Sequence, residues 1–332
     1  MTGGRVTSHD VARRAGVSRS TVSYVLNDTP GQTIPPATRA RVHAAVAELG
    51  YRPSAAARVL RRGRSDWVVL LLPPTPVGPA LSLYTDALVE ALDRHGMTAV
   101  VRRHTTAQAT VDLARELAPA AVVTLAGLDG GSTRRLEDDG VVVVDTTQDH
   151  PGLLGSHGLH LAVGTAQAEH LLGCGYRRLG YALPEDPSLA RIAALRVTGV
   201  REVCTRASVG PPDAHVVPLD VAGAVAAVDR WTGAAAVDAV AAYNDDVALA
   251  LLAGLRERRV DVPGRLAVVG ADDLVASRFA TPPLSTVDLR PALRGRTTAR
   301  VVLGRLGRPS EEDAVAGADS LVLVARASTA RR

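Results

Sequence analysis

No lysine occurs among the 332 residues, and there are only one phenylalanine, two tryptophans and two cysteines. Each scarcity excludes something. Cys174 and Cys204 lie far apart and without the paired spacing of a zinc module, which argues against a disulfide scaffold and suits a reducing compartment. Aromatic residues make up 3% of the chain, so a platform of rings for stacking a ligand is hard to place; Tyr84 and Tyr243 are the candidates. The longest apolar run, WVVLLL with its flanks, is far too short to span a bilayer. The opening MTGGRVTSHDVARR has no apolar run of the kind a signal peptide needs. Together these absences predict a soluble cytoplasmic protein with no membrane partner.

Motifs of chemistry are scarce as well. GLDGGS, residues 127–132, lacks the Gly-Lys-Ser/Thr ending of a phosphate loop and reads as a turn. His157 and His160 stand three apart, but no third metal ligand follows. Asn244-Asp245-Asp246 is explained by a helix cap followed by first-turn acids. No nucleophile, base and acid stand at a recognisable spacing. We therefore expect no cofactor, no metal site and no catalytic residue, and the chain does not read as an enzyme.

What is present is an uneven charge. Residues 1–65 hold 11 arginines against three acids, +8; the rest holds 27 arginines against 31 acids, −4, which gives the overall +4. The use of arginine alone can reflect codon bias, but its asymmetry is the footprint of a nucleic-acid partner. With 46% hydrophobic and 22% charged residues, the chain can bury two or three domain cores.

DVARRAGVSRSTVSYVL sets a glycine between two short amphipathic segments. Thr7 can cap the first, over 7–15, with Asp10 in its first turn and Val11, Ala12 and Ala15 on one face. Gly16 ends it. Ser18 can cap the second, whose Val22, Val25 and Leu26 recur at helical spacing. A turn-rich loop, NDTPGQTIPP, leads to a third helix from about Ala37 to Leu49, stopped by Gly50. Helix, tight turn, helix is the pattern whose second helix lies in the DNA major groove, with Arg19, Ser20 and Tyr24 outward. An ordinary helical pair with a solvated arginine has the same pattern. GYRPSAAARVLRRGRSD, residues 50–66, then reads by itself as a charged linker, although Leu60 exposed between arginines would suit a minor-groove wedge.

From Trp67 on, short apolar runs (WVVLLL, TAVVRR, AAVVTL, VVVVD, RRLGYA, DAVAAY, RLAVVGADD) alternate with amphipathic segments. That alternation predicts parallel sheets flanked by helices, in two similar lobes. Asp145, Asn244 and Asp272 follow strands, where ligands of open α/β sheets sit.

DVARRAGVSRSTVSYVLN and TRARVHAAVAELGYRPSAAARVLRRGRS closely resemble the head and hinge of the lactose-repressor (LacI/GalR) family of bacterial transcription regulators. The resemblance continues through AEHLLGCGYRRLGYA, AAYNDDVALALLAGLRE, VVGADD, TPPLSTV and LVLVARAST. It implies an α-helical helix-turn-helix head (1–52), a hinge helix and linker (53–66), and an α/β two-lobed body (67–332) of the type 1 periplasmic-binding-protein kind. The N-lobe would comprise about 67–157 plus 286–317, and the C-lobe about 158–285 plus 318–332. It also implies a homodimer that binds a palindromic operator in double-stranded DNA and acts most often as a repressor. Carried over position by position, it puts Arg19, Ser20 and Tyr24 on base edges. Thr7, Thr21, Ser23, Asn27, Thr38 and Tyr51 fall on the DNA backbone, and Ala57 and Leu60 in the minor groove. Asp145, Arg196, Asn244 and Asp272 then bind a small-molecule effector, a sugar or nucleoside-like compound.

The chain departs from the family pattern at several points. Tyr24 replaces a common arginine, Ala271 a common aromatic, Leu289 a common glutamine, and Leu159-His160 the usual Asp-Asn. A regulator of the same family without small-molecule control is therefore an alternative, and a solute-binding protein or α/β enzyme a more distant one.

Overall fold

The computed structural model describes residues 6–26, 31–51, 65–150, 153–233, 236–308 and 321–330. Residues 52–64, which carry the expected hinge helix with Ala57 and Leu60, lie outside it, as does Asn27. The chain divides into two compact units, Met1–Ser65 and Asp66–Arg332.

The first unit is helical: α1 (Ser8–Ala15), α2 (Arg19–Leu26) and α3 (Pro36–Leu49). Gly16 ends α1 in the left-handed conformation, φ 64°, which an L side chain adopts at a cost. Its neighbour Val17 donates back to the Ala12 carbonyl at 3.0 Å, turning the chain sharply toward α2. The Ser18 hydroxyl then accepts the Thr21 N–H at 3.0 Å, the expected cap. Val11, Ala12, Ala15, Val22, Val25, Val42 and Ala45 form the buried centre, with Leu49 and Tyr51 packed at its edge.

The second unit has two lobes. In the N-lobe, β1 (Trp67–Leu72), β2 (Thr98–Arg103), β3 (Ala121–Thr124) and β4 (Val142–Asp145) form a sheet of order β2-β1-β3-β4, all parallel. Val68, Leu70 and Leu72 of β1 face α4 (Pro79–Arg94) and α12 (Pro291–Arg305). Val69 and Leu71 face α5 (Ala107–Leu117) and α6 (Gly130–Asp138). Both faces of the strand are covered, which is why it reads as a continuous apolar run.

The C-lobe repeats the plan. Strands β5 (Leu179–Leu183), β6 (Asp213–Val216), β7 (Ala239–Ala242) and β8 (Ala267–Val269) take the order β6-β5-β7-β8, again parallel. Its helices are α7 (Ser156–Gly173), α8 (Ala190–Arg206), α9 (Val221–Thr232), α10 (Asp245–Glu257) and the short α11 (Val275–Phe279). The chain passes between lobes after β4 and again after β8. Strand β9 (Thr286–Asp288) leads into α12 and pairs antiparallel with β10 (Val322–Val324). Ser328 then fastens the C-terminal segment to the C-lobe, donating to the Val268 carbonyl at 2.6 Å.

Two elements were hidden in the sequence. Strand β6, DAHV, is at the sheet edge and half exposed, so it has no apolar run to reveal it. GLDGGS is more than a turn: Asp129 caps α6, accepting from the Gly131 and Ser132 N–H groups at 3.0 and 2.9 Å.

Candidate nucleic-acid interface and ligand cleft

The arginines of the head divide into occupied and unoccupied. Arg13 pairs with Asp10 at 2.6 Å, and Arg14 with Glu48 at 2.6 Å. Arg41 donates to the Ala15 carbonyl at 3.3 Å. Arg19 differs. It is exposed at the first position of α2, and its side chain has no hydrogen bond or ion pair among the described residues. A cation in the first turn faces the positive end of the helix dipole, an arrangement that is locally unfavourable. Ser20 beside it is exposed, and Tyr24, one turn on, is half-buried; their side chains also have no hydrogen-bond partner among the described residues.

The positions expected on the DNA backbone are less open. The Thr7 hydroxyl donates to the Asp10 carboxylate at 2.7 Å, a bond that holds the Asp10 carboxyl below its ordinary range. The Thr21 hydroxyl shares a 2.9 Å hydrogen bond with Ser18. Thr38 and Ser23 are half-buried, and the Tyr51 ring packs on the head core.

In the body, three of the four expected ligand-binding residues converge. The backbones of α7 and α8 touch: a Cβ on Gly164 would collide with the Arg196 carbonyl oxygen, and one on Gly199 with that of Leu161. This close approach sets His160, one turn before Gly164, against Arg196, whose Nη2 lies 3.5 Å from the imidazole Nδ1. Arg196 is buried. It donates to the Tyr243 carbonyl and lies over the Tyr243 ring, 4.7 Å from its centre. Its Nε and the Tyr181 hydroxyl are buried without a hydrogen-bond partner among the described residues. Asn244 caps α10, its Oδ1 accepting the Val247 N–H at 3.0 Å.

Asp272 follows β8 with φ 108°, a strained value for a residue with a side chain. Burial pushes its carboxyl up to about 7 while the Arg196 guanidinium opposes the shift. Asp145, the fourth, ends β4 and accepts from the N–H and hydroxyl of Thr147 at 2.9 and 2.7 Å; no bond joins it to the other three. Neither tyrosine is an open platform. Tyr84 is buried in the N-lobe core and bonded to Thr298 at 2.8 Å, and Tyr243 is covered by Arg196.

The model of bacterial regulatory proteins of the lacI family matches residues 7–54, and the periplasmic binding protein-like domain matches residues 168–329. The transcriptional regulator MalR of Streptomyces coelicolor is 30% identical over 322 residues, covering 90% of this chain and 89% of its own. The chain belongs to the LacI family. Among solved structures, the regulator CelR in complex with cellobiose is 26% identical, with a TM-score of 0.61 over 98% of this chain and all of its own. The Lac repressor dimer, bound to operator and an anti-inducer, shares the fold at 22% identity and a TM-score of 0.74, over 98% of this chain and 99% of its own.

Within this LacI-family body, two residues escaped the sequence reading. Asp245 is fully buried and is more than a first-turn acid. Its Oδ2 accepts from the Leu274 N–H and the Ser277 hydroxyl at 2.8 and 2.6 Å, and its Oδ1 from the Thr286 hydroxyl at 2.6 Å. It thus fastens the loop bearing Asp272 to the strand that crosses between lobes. His160 stood out in the sequence only for its spacing from His157 and its departure from the family pattern, and neither points to Arg196.

The strained, raised Asp272 is expected to lower stability. Its folded pKa, about 7, lies above the ordinary 3.8, so its ionised form opposes folding. The cost grows as pH rises from about 4 to about 7 and is complete above that. Asp272→Asn should lie within about 1 kcal/mol of the parent near pH 4 and exceed its unfolding free energy by about 4 kcal/mol at pH 8. Denaturant titrations at the two pH values check this; an equal difference at both would contradict it.

Proposed function

We propose that this LacI-family chain is a homodimeric repressor of transcription that binds a palindromic operator and is controlled by a small molecule in the cleft of its body. The observation that carries the DNA reading is Arg19, an exposed cation without a partner among the described residues, at the helix end where a cation is unfavourable. On DNA it acquires one, because arginine pairs with guanine O6 and N7 in the major groove. Ser20 and Tyr24 join it on base edges. Thr7, Thr21, Ser23, Asn27, Thr38 and Tyr51 position the head on the backbone, and Ala57 and Leu60 enter the minor groove at the dimer centre.

A head charge of +8, doubled in a dimer, neutralises on the order of ten phosphates and makes affinity fall steeply with salt. The Lac repressor supports the dimer, since it is one on its operator. On the body, Val275 and Phe279 stand 68% and 80% exposed one turn apart, a surface suited to burial by a second copy.

The cleft reading rests on Asp272, Asn244, Arg196 and the Tyr181 hydroxyl, which has no hydrogen-bond partner among the described residues, with Asp145 contributed by the N-lobe. CelR supports it, as its complex holds cellobiose. A ligand that binds the two lobe arrangements unequally shifts their populations and so alters operator affinity. The site of action is the cytoplasm, where the DNA is.

The test is selection from a random duplex library by the purified full chain at physiological salt. Enrichment of a palindrome with two half-sites is expected. Binding that is salt-sensitive but enriches no sequence would overturn the reading.

A further inference from the structure

Helix α12 reaches from the connections between the lobes to the first residue of the body. At its start, Asp288, which ends β9, accepts the Arg290 N–H at 2.7 Å. Arg294 donates to the Leu154 carbonyl on the other connection, ahead of α7. From there its 15 residues carry the helix about 22 Å along the N-lobe. Its backbone touches that of α4, since a Cβ on Gly295 would collide with the Tyr84 carbonyl oxygen. Arg305, near its end, donates to the Val143 carbonyl of β4 at 2.6 Å. The helix is thus a rod fixed to the N-lobe.

The far end of the rod turns back onto the start of β1. Gly307 takes a left-handed φ of 70°. The N–H groups of Gly307 and Arg308 return to the carbonyls of Gly304 and Leu303 at 3.1 and 2.9 Å, the closure that a glycine after a helix allows. Leu303 and Leu306 pack in the N-lobe core beside Met97, so the Arg308 side chain starts from a fixed base. It reaches the Met97 sulfur and donates to the Asp66 carboxylate at 2.9 Å. Asp66 is the first residue of the second unit. Its carbonyl accepts the Thr98 N–H at 2.9 Å, and that of Trp67 the Ala120 N–H at 2.8 Å. The chain from the head therefore enters the body at a residue held by both main chain and side chain. The ion pair is partly exposed, 40% at Arg308 and 30% at Asp66, and such a pair adds little to folding stability. What it supplies is a joint without slack between the linker and α12.

We propose that Asp66 and Arg308 are a positioning pair for operator recognition. They fix the point from which the head linker starts, so that a change of lobe arrangement at the start of α12 reaches the linker instead of being taken up at the joint. This rests on the reading of the chain as an operator-binding dimer. Neither residue needs to touch DNA or a ligand. A linker that starts from a fixed point restricts where the two heads lie, which raises the effective concentration of the second head at its half-site. Binding to random DNA has no half-sites to match and gains nothing from that placement.

The test is the affinity of the full chain for its selected palindrome and for a random duplex, at one salt concentration. The parent is compared with Asp66→Asn, Arg308→Gln and the double variant. Each single change should weaken palindrome binding about fivefold and leave random-duplex binding within about twofold of the parent. The two changes shift the net charge in opposite directions. Attraction to phosphates alone would tighten one variant and weaken the other on both duplexes, and that result overturns the inference. The double variant should lose no more than either single one, because the pair acts as a unit; losses that multiply overturn it. The unfolding temperature should stay within about two degrees of the parent. A fall accompanied by equal weakening on both duplexes marks a merely structural role and also overturns it. Unchanged palindrome binding in all three variants sinks the inference and leaves the repressor reading standing. If the parent selects no palindrome, that reading falls and the inference falls with it.

Discussion

Asp245→Ala is expected to lower the unfolding free energy of the body by about 3–5 kcal/mol. The carboxylate accepts three hydrogen bonds, from the Leu274 N–H and the hydroxyls of Ser277 and Thr286, and both hydroxyl residues are fully buried. Removing it leaves two buried hydroxyls and a half-buried N–H unmet, each at about 1–3 kcal/mol, with some recovery as the hydroxyls turn to other acceptors. Burial opposes these bonds and pushes the Asp245 carboxyl up, so the network stabilises the fold by less than the sum of its bonds. Breaking it is a different matter, because the donors remain when the acceptor has gone. Asp246→Ala is the control: that neighbour is exposed, and the change should stay within about 0.5 kcal/mol. Denaturant unfolding separates the two; a loss below about 1 kcal/mol for Asp245→Ala would contradict the account.

Gly164→Ala should cost about 3 kcal/mol. The added methyl would meet the main-chain carbonyl of Arg196, which cannot swing aside as the end of a side chain can, so α8 must move off α7. That movement would also separate His160 from Arg196. Gly173, at the end of the same helix, has open space where its Cβ would be. There the alanine should be neutral or stabilise by up to about 0.5 kcal/mol through helix propensity. Equal effects at the two glycines would mean that the helices are not held in backbone contact.

How much of this was legible in the sequence depends on how local each feature is. The head was readable because its signals are short-range: Gly16 turns, Ser18 caps, and Val22 and Val25 repeat at helical spacing. The β-α alternation of the body was equally plain, since β1 is covered on both faces and must be apolar throughout. Asp245 was misjudged because its partners Ser277 and Thr286 lie 32 and 41 residues away. Only the closed fold makes it a buried acceptor. The same holds for His160, which meets Arg196 because glycines 35 residues apart let two helix backbones touch. Tyr84, a stacking candidate by composition, is core, its hydroxyl bonded to Thr298 on the returning helix.

The central claim is that α2 reads bases through a first turn whose arginine has no partner among the described residues. The direct measurement is the random-duplex selection run in parallel with the parent chain and with Arg19→Ala. The parent should enrich a palindrome, and the variant the same palindrome with one position per half-site degenerate, at a cost of about 1–3 kcal/mol on the original duplex. A variant that retains the full sequence preference and weakens all duplexes alike would place Arg19 on phosphate and contradict the claim.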